Sequence, residues 1–464
     1  MRIERLILDQ VGCFDHLDIS FPEGRDPDKA DIHLLVGANG TGKSTILMAM
    51  AQFFSAVPTG IQERFSHVQG CLRLGYSACG YNRMAAIAPS SGAEELLGAT
   101  DDLYMVGEWR GEFAFCFFEM ETPAEAAVKA QTTVLKDYRN KTERYLTYLP
   151  TDPARELSFA AFAYNGRRSI DARDFTGIVD ENRNLLLNAC VAGSDGEGAA
   201  GGRLLVHWVA NTLAKAAFAL QQGDEARSSQ YSNSVERVER AIGSITGWDF
   251  QFVLTYEPLG VRASIGGVGI HVHLLPDGFK SLISWIGDLL MRLDRLPWVD
   301  ARPVTEREII LFLDEIEVHL HPAWQRRILP IVQTLFPNAQ VFVSTHSPFV
   351  IASADDAWIY PLYLDEKGKG HVGEILPSML GNSYATVLRD VLGIEEEFAP
   401  QVQEPLKEFY RLRDDALKGD ADAFARLKAK ERELAAFGEE VLAVVRPEMR
   451  QVERRLSRQV AEPD

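Results

Sequence analysis

The sequence predicts an α/β fold: a mixed sheet around a phosphate-loop core, with an inserted helical subdomain and a helical C-terminal tail. Three observations predict it. An apolar run, Ile32–Val36, leads into the glycine-rich loop GANGTGKST at 37–45 and then into a helical stretch over 43–54. A second apolar run, IILFL at 309–313, ends in the acid pair Asp314–Glu315. A third, QVFVST at 340–345, ends at His346, Ser347 and Pro348. Apolar runs without alternation suit strands buried on both faces of a parallel sheet. Polar residues at their carboxyl ends stand where such sheets bind ligands.

The other elements follow in order. Residues 1–35 alternate apolar and polar around the turn-rich FPEGRDPDKAD and read as strands feeding Ile32–Val36. Residues 60–120 read as strand-rich, 125–146 as a charged helix and Ser158–Tyr164 as a strand. The stretch GSDGEGAAGG at 193–202 reads as a loop. Helices are expected over Leu204–Gln222 and Val235–Ile245, with the polar linker GDEARSSQYSNS between them. The strands QFVLTY and GIHVHL come next. Then SLISWIGDLLMRL reads as a helix with a core-facing stripe of Leu282, Trp285, Ile286, Leu289 and Leu293. From Ser383 onward the chain reads as charged helices, with Gly419 at a helix C-cap and Asp420 at the next N-cap. The final basic segment, MRQVERRLSRQ, reads as a solvated helix face. This organisation gives an N-terminal lobe at 1–124, an inserted, mostly helical subdomain at 125–268, a C-terminal lobe at 269–380 and a helical region at 381–464.

Composition narrows the function. The chain has 464 residues, 46% hydrophobic and 25% charged, the balance of an ordinary globular protein able to bury a large core. No apolar run approaches the roughly 18 residues of a membrane helix, and MRIERLILDQ reads as an amphipathic strand rather than a signal sequence. A cytoplasmic protein with no membrane partner is expected. The five cysteines (Cys13, Cys71, Cys79, Cys116, Cys190) form no CxxC pair, which argues against a zinc site or a disulfide framework. A net charge of -18 argues against a generally basic nucleic-acid coat, while leaving a local basic groove open.

The chemistry sits at the three strand ends. GANGTGKST is a complete GxxxxGK[ST] loop. Gly37, Gly40 and Gly42 let the backbone curl so that its N–H groups face phosphates, and the helix beginning there adds its positive end. Lys43 is the cation for the β- and γ-phosphates, Ser44 a Mg²⁺ ligand, and Asn39 and Thr45 belong to the same nucleotide-binding loop. Asp314 is the expected second Mg²⁺ partner. Glu315 is the general base for the attacking water. His346, 32 residues after Asp314 (346 − 314), is placed to sense a γ-phosphate. His319 and His321 could suggest a metal, but no third ligand accompanies them, and a turn is the expected reading. The cofactors expected are therefore ATP and Mg²⁺.

In this order, GANGTGKST, ILFLDEIEVHLHP and VFVSTHSP resemble the ABC-type P-loop ATPases of the RecF, SMC and OLD group. The resemblance implies an ABC-ATPase head. It also implies a signature segment before the acidic strand, which in the family closes on the γ-phosphate held by a second subunit. Here that place reads LPDGFK at 275–280, where Gly278 matches the family's glycine. Pro276 replaces the family's serine and Asp277 a glycine, which implies slow hydrolysis with binding and pairing kept. No glutamine of the family's Q-loop is assigned; Gln62 and Gln69 are the candidates.

After LYLDEKGKG only helical sequence follows, which leaves no room for the nuclease domain of the OLD branch. Together with AAFAYNGRR, LPDGFKSLISWIGDLL and YATVLRDVLGI, this looks like the compact ATPases of bacterial anti-phage systems, of the Septu type and also found with retrons. A PARIS-type ATPase is a near neighbour. The resemblance implies a homodimer or higher homo-oligomer through ATP-sandwiched heads and a separate effector, an HNH or other nuclease. A RecF-like DNA-loading ATPase is the alternative, and it would make nucleic acid a partner.

Overall fold

The computed structural model describes residues 1–55, 61–64, 70–78, 81–89, 103–110, 113–120, 138, 156–166, 198–257, 259–378, 380–381, 383–394, 398–418 and 420–461. They divide into two compact units, Met1–Val387 and Leu388–Asp464.

The first unit begins with β1 (Arg2–Val11) and β2 (Phe14–Ser20), followed by β3 (Asp31–Gly37) and α1 (Lys43–Phe54). Next come β4 (Cys71–Ala78), β5 (Tyr81–Pro89), β6 (Leu103–Arg110) and β7 (Phe113–Met120). These join β1 and β2 in an antiparallel sheet of order β2-β1-β4-β5-β7-β6. The expected helix at 125–146 lies outside the described residues, apart from Tyr138. That ring stacks on Phe159 and its hydroxyl accepts the Ala161 N–H at 2.9 Å.

Strand β8 (Phe159–Tyr164) leads to the helix pair α2 (Gly198–Gln221) and α3 (Glu225–Thr246). Here two expectations are corrected. The helix of α2 already includes 198–202, where a loop was expected. Residues 225–234, expected as linker, are the first turns of α3. Asp224 caps that helix by accepting the Arg227 N–H at 3.0 Å. Most of the first two turns is exposed, so no apolar stripe marks them in the sequence. The antiparallel meander β9 (Phe250–Tyr256), β10 (Leu259–Ile265) and β11 (Val268–His271) follows.

The expected helix at 281–293 begins earlier and is not uniform. It runs as α4 (Asp277–Leu282), a π turn (Ile283–Gly287) and α5 (Asp288–Arg295). All five residues of its expected stripe are buried, each worth roughly 1.5–3 kcal/mol for a large apolar side chain. Within it Arg292 Nε donates to the buried Asp288 carboxylate at 2.6 Å, and the Tyr164 hydroxyl donates to the same oxygen at 2.8 Å.

The central sheet is completed by β12 (Glu308–Leu313), α6 (Pro322–Leu335), β13 (Ala339–Thr345), α7 (Pro348–Ser353), β14 (Ala357–Leu364), β15 (Gly370–Val372) and β16 (Leu376–Pro377). Its order is β15-β14-β3-β13-β12-β8, with β16 also on β14. The five strands β14, β3, β13, β12 and β8 are mutually parallel. Leu34, Val343, Leu313 and Tyr164 share one register layer, so the residues just beyond them meet at one edge. Strand β13 also ties the two large sheets together: the Gln340 side chain accepts the Ile3 N–H and donates to the Ile3 carbonyl, at 2.8 and 2.9 Å.

The second unit packs α9 (Pro400–Leu417), α10 (Ala421–Ala435) and α11 (Glu439–Ala461) around Leu406, Phe409, Leu412, Leu427, Leu434, Val445 and Val452. The chain reaches it through α8 (Tyr384–Asp390). Asp420 caps α10 as expected, accepting the N–H groups of Asp422 and Ala423; Gly419 lies outside the described residues. Among the described residues no helix is long and apolar enough to cross a membrane.

Candidate nucleotide-binding site

Helix α1 starts on Gly42, whose φ of 95° is left-handed. A Cβ there would strike the Phe14 ring and the Cys13 sulfur, so only glycine lets β1–β2 close over the loop. No side chain caps this helix start and its first turn holds no acid, which leaves its N–H groups to whatever anion arrives. Lys43 Nζ lies back over the loop and donates to the Gly37 and Ala38 carbonyls at 2.7 and 2.8 Å. Burial pushes the Lys43 ammonium below its ordinary pKa, against the pull of Asp314, Glu315 and Glu317.

Strand β12 delivers the acid pair to the same edge. The Asp314 N–H donates to the Tyr164 carbonyl at 2.8 Å. The Ser344 hydroxyl donates to Asp314 Oδ1 and accepts the Glu315 N–H, so one buried serine on β13 fixes both residues. Glu315 has φ 47°, a left-handed value uncommon outside glycine. Its carboxylate lines one cleft of about 630 Å³ with Asn39, Gly40, Gly42, Lys43, Ser44 and Thr45.

The expected residues thus divide. Those seven share the cleft, Asp314 is tied to Glu315 through Ser344, and the Gly37 carbonyl is held by Lys43. His346 follows β13, half-exposed, with its backbone N–H donating to Glu317 Oε1 and its ring Nδ1 3.1 Å from that oxygen. Gly278 is elsewhere: a Cβ on it would meet the His319 carbonyl at 2.8 Å and the Trp324 ring at 2.9 Å. The LPDGFK segment therefore packs against the DEIEVHLHP turn of its own chain. His321 Nδ1 caps α6 by accepting the Ala323 N–H. The Gln62 side chain and all of Gln69 lie outside the described residues. Beside Glu315, at the end of β8, stand Asn165 and Gly166, and a methyl on Gly166 would meet Glu315 Oε2 at 2.7 Å.

Four cleft-side residues were not assigned from sequence. Gly12 and Cys13 line the cleft. Arg64 enters it, held by its carbonyl accepting the Gly12 N–H at 2.6 Å and its guanidinium donating to Thr45 Oγ1 at 2.5 Å. Ser344 was inside a quoted motif but carried no role. No motif marked Arg64.

An "AAA domain, putative AbiEii toxin, Type IV TA system" family matches residues 228–352, and an "AAA domain" family matches residues 1–103. The chain is 24% identical over 419 residues to Septu protein PtuA of Bacillus thuringiensis, covering 89% of each. It is 31% identical over 176 residues to the "Retron Ec83 probable ATPase" of Escherichia coli, covering 37% of this chain and 32% of that one. Its homologues are Septu PtuA and retron ATPases. Among solved structures, the SmcHead bound to the C-winged helix domain of ScpA aligns over 81% of this chain at 12% identity, with a TM-score of 0.45, too low to carry weight. The likeness is thus to AAA-domain proteins and to Septu and retron relatives, and the chain itself has an α/β head and C-terminal helices.

Proposed function

We propose that the chain binds Mg-ATP in the cleft at the end of β3, hydrolyses it slowly, pairs head to head around it, and in that state scaffolds or regulates a separate effector nuclease in anti-phage defence. The observation that carries this reading is a complete binding half set against an altered closing half: the uncapped α1 start with Lys43 and Glu315 in one cleft, and Pro276–Asp277 where the family has serine and glycine. The donor set suits the group. Free N–H groups and a buried cation suit phosphates, and a hydroxyl with a carboxylate suits Mg²⁺.

Bound there, Mg-ATP supplies a γ-phosphoryl group whose transfer to water gives ADP and phosphate. Lys43 leaves the Gly37 and Ala38 carbonyls to face the β- and γ-phosphates. Ser44 and Asp314 would hold the metal, Asp314 being kept in place by Ser344. Glu315 orients the attacking water and takes its proton. His346 faces the γ-phosphate, and Gly278 of a second copy closes over it. Septu and retron relatives support the defence assignment.

The test is the mass of Glu315→Gln in solution with and without Mg-ATP, beside the turnover of the wild type. Loss of the base with binding spared should trap a pair or larger assembly, at least doubling the mass. A variant that stays monomeric in saturating Mg-ATP would sink the head-to-head pairing. A RecF-like loader is the second reading, and exposed Arg446, Arg450 and Arg454 along α11 favour it. It requires ATP-dependent DNA binding that weakens steeply with salt.

A further inference from the structure

Glu317 is the third carboxylate of the acidic turn, and none of the roles above uses it. Its side chain is 5% exposed and faces a histidine. Oε1 accepts the His346 N–H at 2.7 Å and stands 3.1 Å from His346 Nδ1. Oε2 is buried and has no hydrogen-bond partner among the described residues. An ionised carboxylate only accepts, and a buried one is costly unless donors face it. One oxygen therefore holds the backbone of His346 and stands beside its ring at ion-pair distance. A proton on Nδ1 would face that oxygen, which leaves Nε2 as the other ring nitrogen of a side chain that is 52% exposed. The next residue is fixed as well, since the Ser347 hydroxyl donates to Gln325 Oε1 at 2.6 Å.

We propose that Glu317 is a positioning residue that holds the His346 imidazole with Nδ1–H on its carboxylate and Nε2 toward a terminal phosphate, and so sets how strongly the protein prefers ATP to ADP. This rests on the reading of His346 as the γ-phosphate contact. Donation from Nε2 to phosphate uses the doubly protonated ring, which then lies between two anions, Glu317 on one side and phosphate on the other. Without Glu317 the ring samples other staggered side-chain conformations. Each then has to be frozen out when phosphate binds.

The experiment titrates the full chain with Mg-ATP and with Mg-ADP and reads the ratio of the two affinities. His346→Ala should lower that ratio about 10- to 100-fold, the worth of a hydrogen bond to a charged group. Glu317→Ala should lower it by a similar factor, and the double variant should fall no further than His346→Ala. Glu317→Gln should keep most of the ratio, because its amide oxygen accepts both N–H groups. A Glu317→Ala ratio equal to wild type, with His346→Ala impaired, overturns the proposal alone. A wild-type ratio in His346→Ala overturns the γ-phosphate reading and this inference with it. Independently of any variant's folding, ¹⁵N-histidine NMR of the wild type, with His346 assigned by its loss in His346→Ala, should find Nδ1 protonated. A bare Nδ1 overturns the proposal.

Discussion

Helices α1 and α4 of the first unit both begin without a side-chain cap, and they begin differently. Helix α1 starts on left-handed Gly42, holds no acid in its first turn and presents Lys43. Helix α4 starts on Pro276, carries Asp277 in its first turn and has Lys280 Nζ 3.2 Å from that carboxylate. An acid in a first turn stabilises a helix by about 0.3–1 kcal/mol through the helix dipole. At α4 the chain's own carboxylate, 72% exposed, already occupies the favourable place. At α1 that place is left to a ligand. The contrast separates two tasks that the family resemblance joins: holding a nucleotide, and closing a second subunit upon it.

The largest effect expected from breaking this contrast is at α1. Lys43→Ala removes the buried cation and leaves the Gly37 and Ala38 carbonyls without their donor. Mg-ATP affinity, measured by calorimetry, should fall about 100-fold, the scale of a lost charge-assisted contact. A variant binding within a few-fold of wild type would show that the loop's N–H groups suffice, and the cation reading would fail.

A smaller effect is expected at α4. Restoring the family's residues with Pro276→Ser and Asp277→Gly adds a donor and removes a negative charge. Turnover should rise about tenfold, the factor that corresponds to 1.36 kcal/mol of barrier. Lost first-turn charge should cost the fold at most about 1 kcal/mol. Unchanged turnover with intact nucleotide binding would show that LPDGFK does not limit hydrolysis.

The same contrast marks what the sequence discloses. The bounds of α1, the runs of β12 and β13, and the stripe on the 277–295 helix were legible because each is an apolar pattern next to a motif. The first turns of α3 were not, because they are mostly exposed and rest on the Asp224 cap. The π turn at 283–287 was not, because its apolar side chains Ile283, Trp285 and Ile286 suit either geometry. Ser344 and Gln340 act across strands, on Asp314, Glu315 and Ile3, and only the sheet register brings those residues together. Arg64 reaches the cleft through a backbone contact with Gly12, which leaves no mark in local sequence.

The smallest effect lies away from the cleft, where β3 carries a histidine into the core. His33 is fully buried, stacked on Phe342 at 4.8 Å and hydrogen-bonded to the Tyr360 hydroxyl at 2.9 Å. Gln340 Nε2 and Asp31 Oδ2 lie 3.3 and 3.4 Å from its Nε2, and the charges of Arg2 and Glu4 act on it too. Burial pulls His33 below its ordinary value, and Asp31 opposes this without reversing it. As pH falls below about 6.5 the unfolded chain takes up a proton that folded His33 refuses. Stability from this residue is therefore full above that pH and is lost as pH drops toward the folded value, by at most about 1.4 kcal/mol per unit. His33→Phe keeps the stack and removes the titration. Its urea midpoint should be lower than wild type at pH 7.5, where the Tyr360 hydroxyl has lost its partner. The gap should narrow between pH 6.5 and 5.5. A gap that stays constant across that range would mean the folded protein protonates His33 as readily as the unfolded chain does, with Asp31 outweighing burial.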